Sequence, residues 1–171
     1  MSEETVKHRF IFVEGVIIGH KKGKSKKKAE NGSDIITKFD QIPNTFTDVD
    51  AWPLCINLKC WFCDLNFRTL PIPIGASICQ DEAKDKIAVE GIACSFSCAY
   101  AYILQKYHNF SSQKYDKIEI LKTIYRMITT KECMNFIESP PRTLREEYGG
   151  TMSTKDYIEA VQRNDEMINI S

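Results

Sequence analysis

Four cysteines fall into two pairs, Cys60-Trp-Phe-Cys63 and Cys94-Ser-Phe-Ser-Cys98, with thirty residues between the pairs. A two-residue gap lets both sulfurs of a tight knuckle turn toward one ion. A three-residue gap at the start of a helix points its first-turn sulfurs the same way. The intervening thirty residues are enough to bring the second pair back to the first. Four thiolates around one soft tetrahedral centre, with bonds of about 2.3 Å, describe a closed structural zinc site. No ligand position is left for water, so a single Zn2+ is expected to hold the fold together and not to catalyse.

Other readings of these thiols are weaker. Seven cysteines is an odd count, and no amino-terminal apolar run reads as a signal peptide, which disfavours a disulfide framework and an oxidising compartment. A redox pair would sit at the start of a helix after a strand, whereas Cys60 and Cys63 precede a strand-like run. Buried or redox cysteines remain the alternative. Cys55, Cys79 and Cys133 have no matching partner and are expected to be small buried hydrophobes, although Cys55 or Cys79 could replace one of the four.

The 171 residues suit one ordinary domain or a small metal-stapled unit with extensions. With 43% apolar residues the chain can build a core, and its formal net charge of zero leaves any nucleic-acid affinity to local patches. Charges interrupt every apolar run, so no membrane span is expected. The free thiols point to a soluble intracellular protein.

Lys7 to Ile18 reads as a strand with a bulge at Gly15. Lys21 to Lys28 follows, with six lysines in eight residues, a flexible basic loop closed by Asn31-Gly32-Ser33-Asp34. A short Ile35-Ile36 segment precedes an irregular stretch bracketed by Pro43 and Pro53. After the knuckle, Asn66 to Ile74 is extended, its prolines suiting an edge strand. Asp81 to Lys86 reads as a turn, Ile87 to Ala93 as a strand, and Ala99 to Tyr107 as a helix. Knuckle, β-hairpin and helix in that order make a treble clef. Ile118, Leu121, Ile124, Tyr125 and Ile128 recur at helical spacing, with Pro140-Pro141 expected to end that element. Ser153 with Asp156 signals a last helix from Thr154 to about Arg163. The expected fold is α+β: residues 1–50 an N-terminal strand and basic loop, 51–110 the treble-clef finger, 111–171 a helical C-terminal region.

Lys59-Cys60-Trp61-Phe62-Cys63, an extended segment, then Cys94-Ser95 and Cys98 together resemble the zinc finger of viral late transcription factor 2. That family comprises a poxvirus transactivator and relatives in nucleocytoplasmic large DNA viruses, with a finger of the FCS or MYM type. Ala93 stands where that finger type has Phe. Pro140-Pro141-Arg142 to Leu144 and Tyr148-Gly149-Gly150-Thr151-Met152-Ser153 look like a tail found among the viral relatives. The resemblance implies Cys60, Cys63, Cys94 and Cys98 as metal ligands. It also implies a role in late viral gene transcription, alongside viral transcription proteins, in the cytoplasmic factory of the infected cell. The virion and the nucleus are other candidate locations.

Lys21, Lys22, Lys24, Lys26, Lys27 and Lys28 are the candidate nucleic-acid contacts, since neutralised phosphates release counterions and give salt-sensitive, sequence-independent affinity. A solvated loop or a targeting patch are the competing readings, and His20 adds charge only below neutral pH. Trp61, Phe62, Phe67, Tyr100, Tyr102 and Tyr107 could stack on bases, but packing within a small module is the stronger expectation, with Trp61 and Phe62 on the finger helix. Lys59, Arg68 and Lys106 flank the finger. His108 stands too far from Cys98 to share an ion with it. No deaminase signature, phosphate loop or Gly-x-Ser-x-Gly is present, so neither an enzyme nor a small-molecule substrate is expected. Transcription factor and protein–protein adaptor, the latter with host signalling proteins among its candidate partners, are the two function classes that remain.

Overall fold

A computed structural model describes residues 41–81, 84–109 and 111–168. The strand expected over Lys7–Ile18, the lysine loop, His20, the Asn31–Asp34 turn and Ile35-Ile36 lie outside the described residues. Elsewhere the chain is α+β, as the pattern of hairpin and helices leads one to expect: a three-stranded antiparallel sheet and three α-helices.

The sheet runs β1 (Thr45–Phe46), β3 (Lys84–Ala93), β2 (Ile72–Asp81), all antiparallel, with β2 at an edge among the described strands. Of the extended Asn66–Ile74 segment only Ile72–Ile74 joins it, Asn66 making an isolated bridge to Lys59 and Pro71 standing just before the strand. Asp81 and Lys84 pair, so the strands extend further than the polar Asp81–Lys86 sequence implies. Two residues of the stretch between Pro43 and Pro53, Thr45 and Phe46, add to the outer side of β3 opposite Ala88 and Ile87. Phe46 is buried there and meets Trp52 edge-on at 5.3 Å, while the Trp52 indole N–H donates to the Pro71 carbonyl at 2.7 Å.

The register of β2 shifts on both sides of Gly75. A Cβ on Gly75 would run into Ile120 and Ile87, so glycine is what lets the bulge sit against the next helix. Lys117 from that helix donates to the freed Ala76 carbonyl at 2.5 Å and to Gly75 at 3.3 Å, and its ammonium lies 3.7 Å from Glu90.

Helix α1 (Phe96–Lys106) leaves β3 after a two-residue corner, and α2 (Ser111–Thr129) packs on both α1 and β2. Ile120, Leu121, Ile124 and Tyr125 form the buried stripe of α2, with Ile118 and Ile128 half-buried at its margins. The helix does not run on to Pro140. Thr130 adopts a left-handed φ of 60° and donates its N–H to the Arg126 carbonyl at 2.8 Å, which stops the helix. Residues 132–141 then cross the core without helical turns, burying Cys133 and Phe136 and leaving Met134 exposed. Phe136 stacks on Phe96 at 6.1 Å and meets Tyr125 edge-on at 6.0 Å. Aromatic packing, not helical continuation, accounts for the apolar content of this segment.

Helix α3 spans Thr154–Ile168. It begins where the capping signal places it: Ser153 Oγ accepts from Asp156 N at 3.1 Å and donates to the Asp156 carboxylate at 2.7 Å. It outlasts Arg163 because Asp165 and Ile168 both have partners on the core side, Ile168 being buried. No helix among the described residues is long and apolar enough to cross a membrane.

Candidate metal centre

The knuckle is made by backbone hydrogen bonds. Cys60 N donates to Leu65 O at 2.9 Å and Asp64 N to Cys60 O at 3.0 Å, with Asp64 taking the left-handed conformation (φ 61°) that closes the turn. Trp61 N donates to Ile92 O at 3.0 Å, fastening the knuckle to β3 two residues before Cys94. The Trp61 ring lies on Gly91, where a Cβ would collide with it, and meets Tyr102 of α1 at 5.8 Å. Phe62 is buried. Both therefore pack in the finger as expected, although Trp61 keeps 43% of its surface exposed.

The second pair is set by the start of α1. Ser95 is the N-cap, its Oγ accepting from Cys98 N at 3.0 Å. Replacing Ser95 with Ala should cost about 1 kcal/mol in denaturant unfolding of the metal-loaded chain; an unchanged midpoint would show that another group takes over the cap. The first turn carries no acid of its own. Asp165, reaching across from α3, accepts instead from Phe96 N (3.1 Å), Ser97 N (2.8 Å) and Ser97 Oγ (2.6 Å). A carboxylate against a helix N-terminus is electrostatically favourable, and here it also ties the last helix to the ligand-bearing one. Burial raises the Asp165 carboxyl above its usual range, the hydrogen bonds from Ser97 and Phe96 opposing the shift.

These two local structures bring the four expected sulfurs together. Cys60, Cys63, Cys94 and Cys98 Sγ all lie within 4.8 Å of one another. Cys63 and Cys94 are 3.5 Å apart, Cys94 and Cys98 3.6 Å. A regular tetrahedron with metal–sulfur bonds of about 2.3 Å has edges of about 3.8 Å, so the cluster is of the right size for one ion. Cys94 N donates to Cys60 Sγ at 3.4 Å, and Cys98 Sγ to Ser139 Oγ at 3.4 Å. Contacts of this outer kind orient ligand sulfurs. Cys60, Cys63 and Cys98 are buried and Cys94 half-buried.

As thiols the four compete for one negative charge. Donation from Cys63, then Cys94 and Cys98, holds Cys60 well below the ordinary thiol range. Donation toward Cys60 and Cys63, reinforced by burial, pushes Cys94 well above it, and the bond to Cys60 does the same to Cys98. A cation removes the conflict by holding all four as thiolates. Four sulfurs complete a tetrahedral shell, so the arrangement fits a structural ion.

The remaining cysteines are elsewhere. Cys133 is buried and its thiol is pushed up to about 11 by that burial. Cys55 is half-buried, whereas Cys79 is exposed near the hairpin tip, contrary to the expectation that it would be buried. An edge strand alternates its faces, and position 79 falls on a stretch that the core does not cover. His108 is exposed, its Nδ1 3.0 Å from the Gln105 carbonyl at the end of α1. Lys59 lies 3.6 Å from Asp64, and Lys106 3.2 Å from Glu90. The spacing arguments missed Asp165 and Ser139, because each reaches the start of α1 from more than forty residues away in sequence.

No family model matches the chain, and no solved structure matches it. Uncharacterized protein B175L of African swine fever virus is 31% identical over 130 residues, covering 75% of this chain and 73% of the viral protein. The proteins of the Pretoriuskop tick isolate, the Vero-adapted Badajoz strain and a Kenyan pig isolate give the same identity and coverage. With its cysteines gathered as a metal centre requires, the chain thus belongs to the B175L family, viral proteins of a large DNA virus.

Proposed function

We propose that the chain is a zinc-stapled regulator of late viral transcription that works mainly through protein contacts. The observation that carries the zinc reading is the convergence of four sulfurs, from a knuckle and a helix start, within 4.8 Å. An all-sulfur tetrahedral set favours zinc over harder divalent ions, and zinc at such a site stabilises the fold. The transcription reading draws on the likeness of the Cys-Trp-Phe-Cys and Cys-Ser-x-x-Cys halves to viral late transcription factor 2. Kinship with a protein of another large DNA virus is consistent with it. A closed shell gives this ion no substrate position, so the reading includes no enzymatic step.

Protein contact is favoured over DNA contact by the chain's zero net charge and by the surface of the finger itself. Trp61 is held at the surface by Gly91 and Tyr102, a rigid aromatic of the type enriched where proteins dock. DNA contact through the lysine loop is a subsidiary part of the proposal. The test is affinity purification of the tagged chain from infected cells, beside duplex-DNA binding at low and physiological salt. Recovery of viral transcription proteins, lost when Trp61 is changed to Ala, is the expected outcome. Recovery of host signalling proteins alone would favour the adaptor reading and remove transcription from the proposal.

A further inference from the structure

Arg145 is 1% exposed, yet its Nε and Nη1 have no hydrogen-bond partner among the described residues. Nη2 lies 3.5 Å from Glu147, a carboxylate that is itself 58% exposed. A guanidinium does not shed its proton, so a full positive charge is buried with one solvated counter-ion. A buried charge left in that state is costly, and its surroundings should contain what offsets it.

Those surroundings lead to the metal centre from both sides. The guanidinium carbon lies 5.0 Å from the Tyr148 ring and 5.5 Å from the Tyr157 ring. The Tyr148 hydroxyl donates to Asp64 at 2.9 Å, and Asp64 directly follows Cys63. The Tyr157 hydroxyl donates to the Pro140 carbonyl at 2.6 Å. Pro140 directly follows Ser139, whose Oγ meets Cys98 Sγ at 3.4 Å. One cation is thus clasped between two rings, each anchored beside a different ligand pair. Four thiolates around a divalent ion carry a net double negative charge, and Arg145 is the buried cation tied to their surroundings through these two tyrosines.

We propose that Arg145 is the counter-charge of the four-thiolate centre, so that metal loading and seating of the Pro140–Met152 tail stabilise each other. The inference rests on the zinc reading above. It differs from simple packing in sign. With metal bound, the thiolate dianion compensates the guanidinium. Without metal, fewer of the sulfurs carry charge, so the buried guanidinium is offset less and weighs on the fold. By linkage, whatever the tail adds to metal affinity the metal returns to the tail.

Arg145→Met keeps the length and apolar stem while removing the charge. In the full chain, chelator competition should show metal bound about 10- to 100-fold more weakly than in the wild type, the range for outer partners of metal ligands. The metal-free variant should be at least as resistant to urea as the metal-free wild type. Arg145→Lys, which keeps the charge, should hold metal more tightly than the Met variant. Cobalt-loaded Arg145→Met should retain the sulfur-to-metal absorption of the wild type, because all four ligands remain. Equal destabilisation of the loaded and metal-free forms would reduce Arg145 to packing and overturn the proposal, as would parity between the Lys and Met variants. A wild-type chain that takes up no metal overturns the zinc reading as well. Tight metal binding indifferent to Arg145→Met overturns this proposal alone.

Discussion

Cys98→Ser is expected to abolish stoichiometric metal binding and to unfold the finger. Cys98 is fully buried at the base of α1, its backbone N–H capped by Ser95 and its sulfur against Ser139. A serine hydroxyl there is a poor ligand for a soft site and cannot become an anion at neutral pH. Structural zinc of this class contributes about 10–16 kcal/mol of apparent binding energy coupled to folding. Whole domains are stable by only about 5–15 kcal/mol. Losing the ion therefore removes a large share of what keeps the knuckle on the helix. Elemental analysis and far-ultraviolet circular dichroism under urea test this, with Cys79→Ser as the control, since Cys79 is exposed and away from the cluster. Acidification should reproduce the loss. The metal-bound sulfurs are thiolates, so the stabilisation is present at neutral pH and falls as pH drops and protons compete for the ligands. A Cys98→Ser chain that keeps its metal and its urea midpoint would remove the four-sulfur site.

The centre was legible because its chemistry is local. Two short spacings fix the direction of each pair of sulfurs, and a hairpin of the right length between them needs only ordinary β-pairing to close the site. The N-cap of α3 was legible for the same reason: Ser153 and Asp156 are three residues apart and answer each other directly. What the sequence concealed is whatever reaches across the fold. Asp165 reads as one more surface acid of an amphipathic helix, yet it accepts from the N-terminus of α1. Arg145 reads as a solvated cation beside two glutamates and is instead fully buried. The apolar residues after Ile128 looked like more helix because composition carries no information about where a left-handed Thr130 will turn the chain. Asp165 and Arg145 depend on partners, the start of α1 and Tyr157, that no short window of neighbouring residues contains.

Phe96→Ala should lower the stability of the metal-loaded chain by about 3–5 kcal/mol, the cost of emptying a large aromatic site in a packed core. Phe96 is the first residue of α1 and 1% exposed. Its ring meets Tyr125 of α2 edge-on at 4.9 Å and lies flat against Phe136 at 6.1 Å, while its N–H is held by Asp165 of α3. All three C-terminal parts of the chain thus converge on the residue between the ligands Cys94 and Cys98. If the finger were a self-sufficient module on which those helices merely lean, removing the ring would loosen α2 and leave metal retention untouched. The packing argues for the opposite coupling: an unsupported first turn should also give up its ion faster to a chelator. Urea midpoints and metal-release rates on the same preparation separate the cases. A loss under about 1 kcal/mol, with release unchanged, would mean that the thiolate centre alone organises α1.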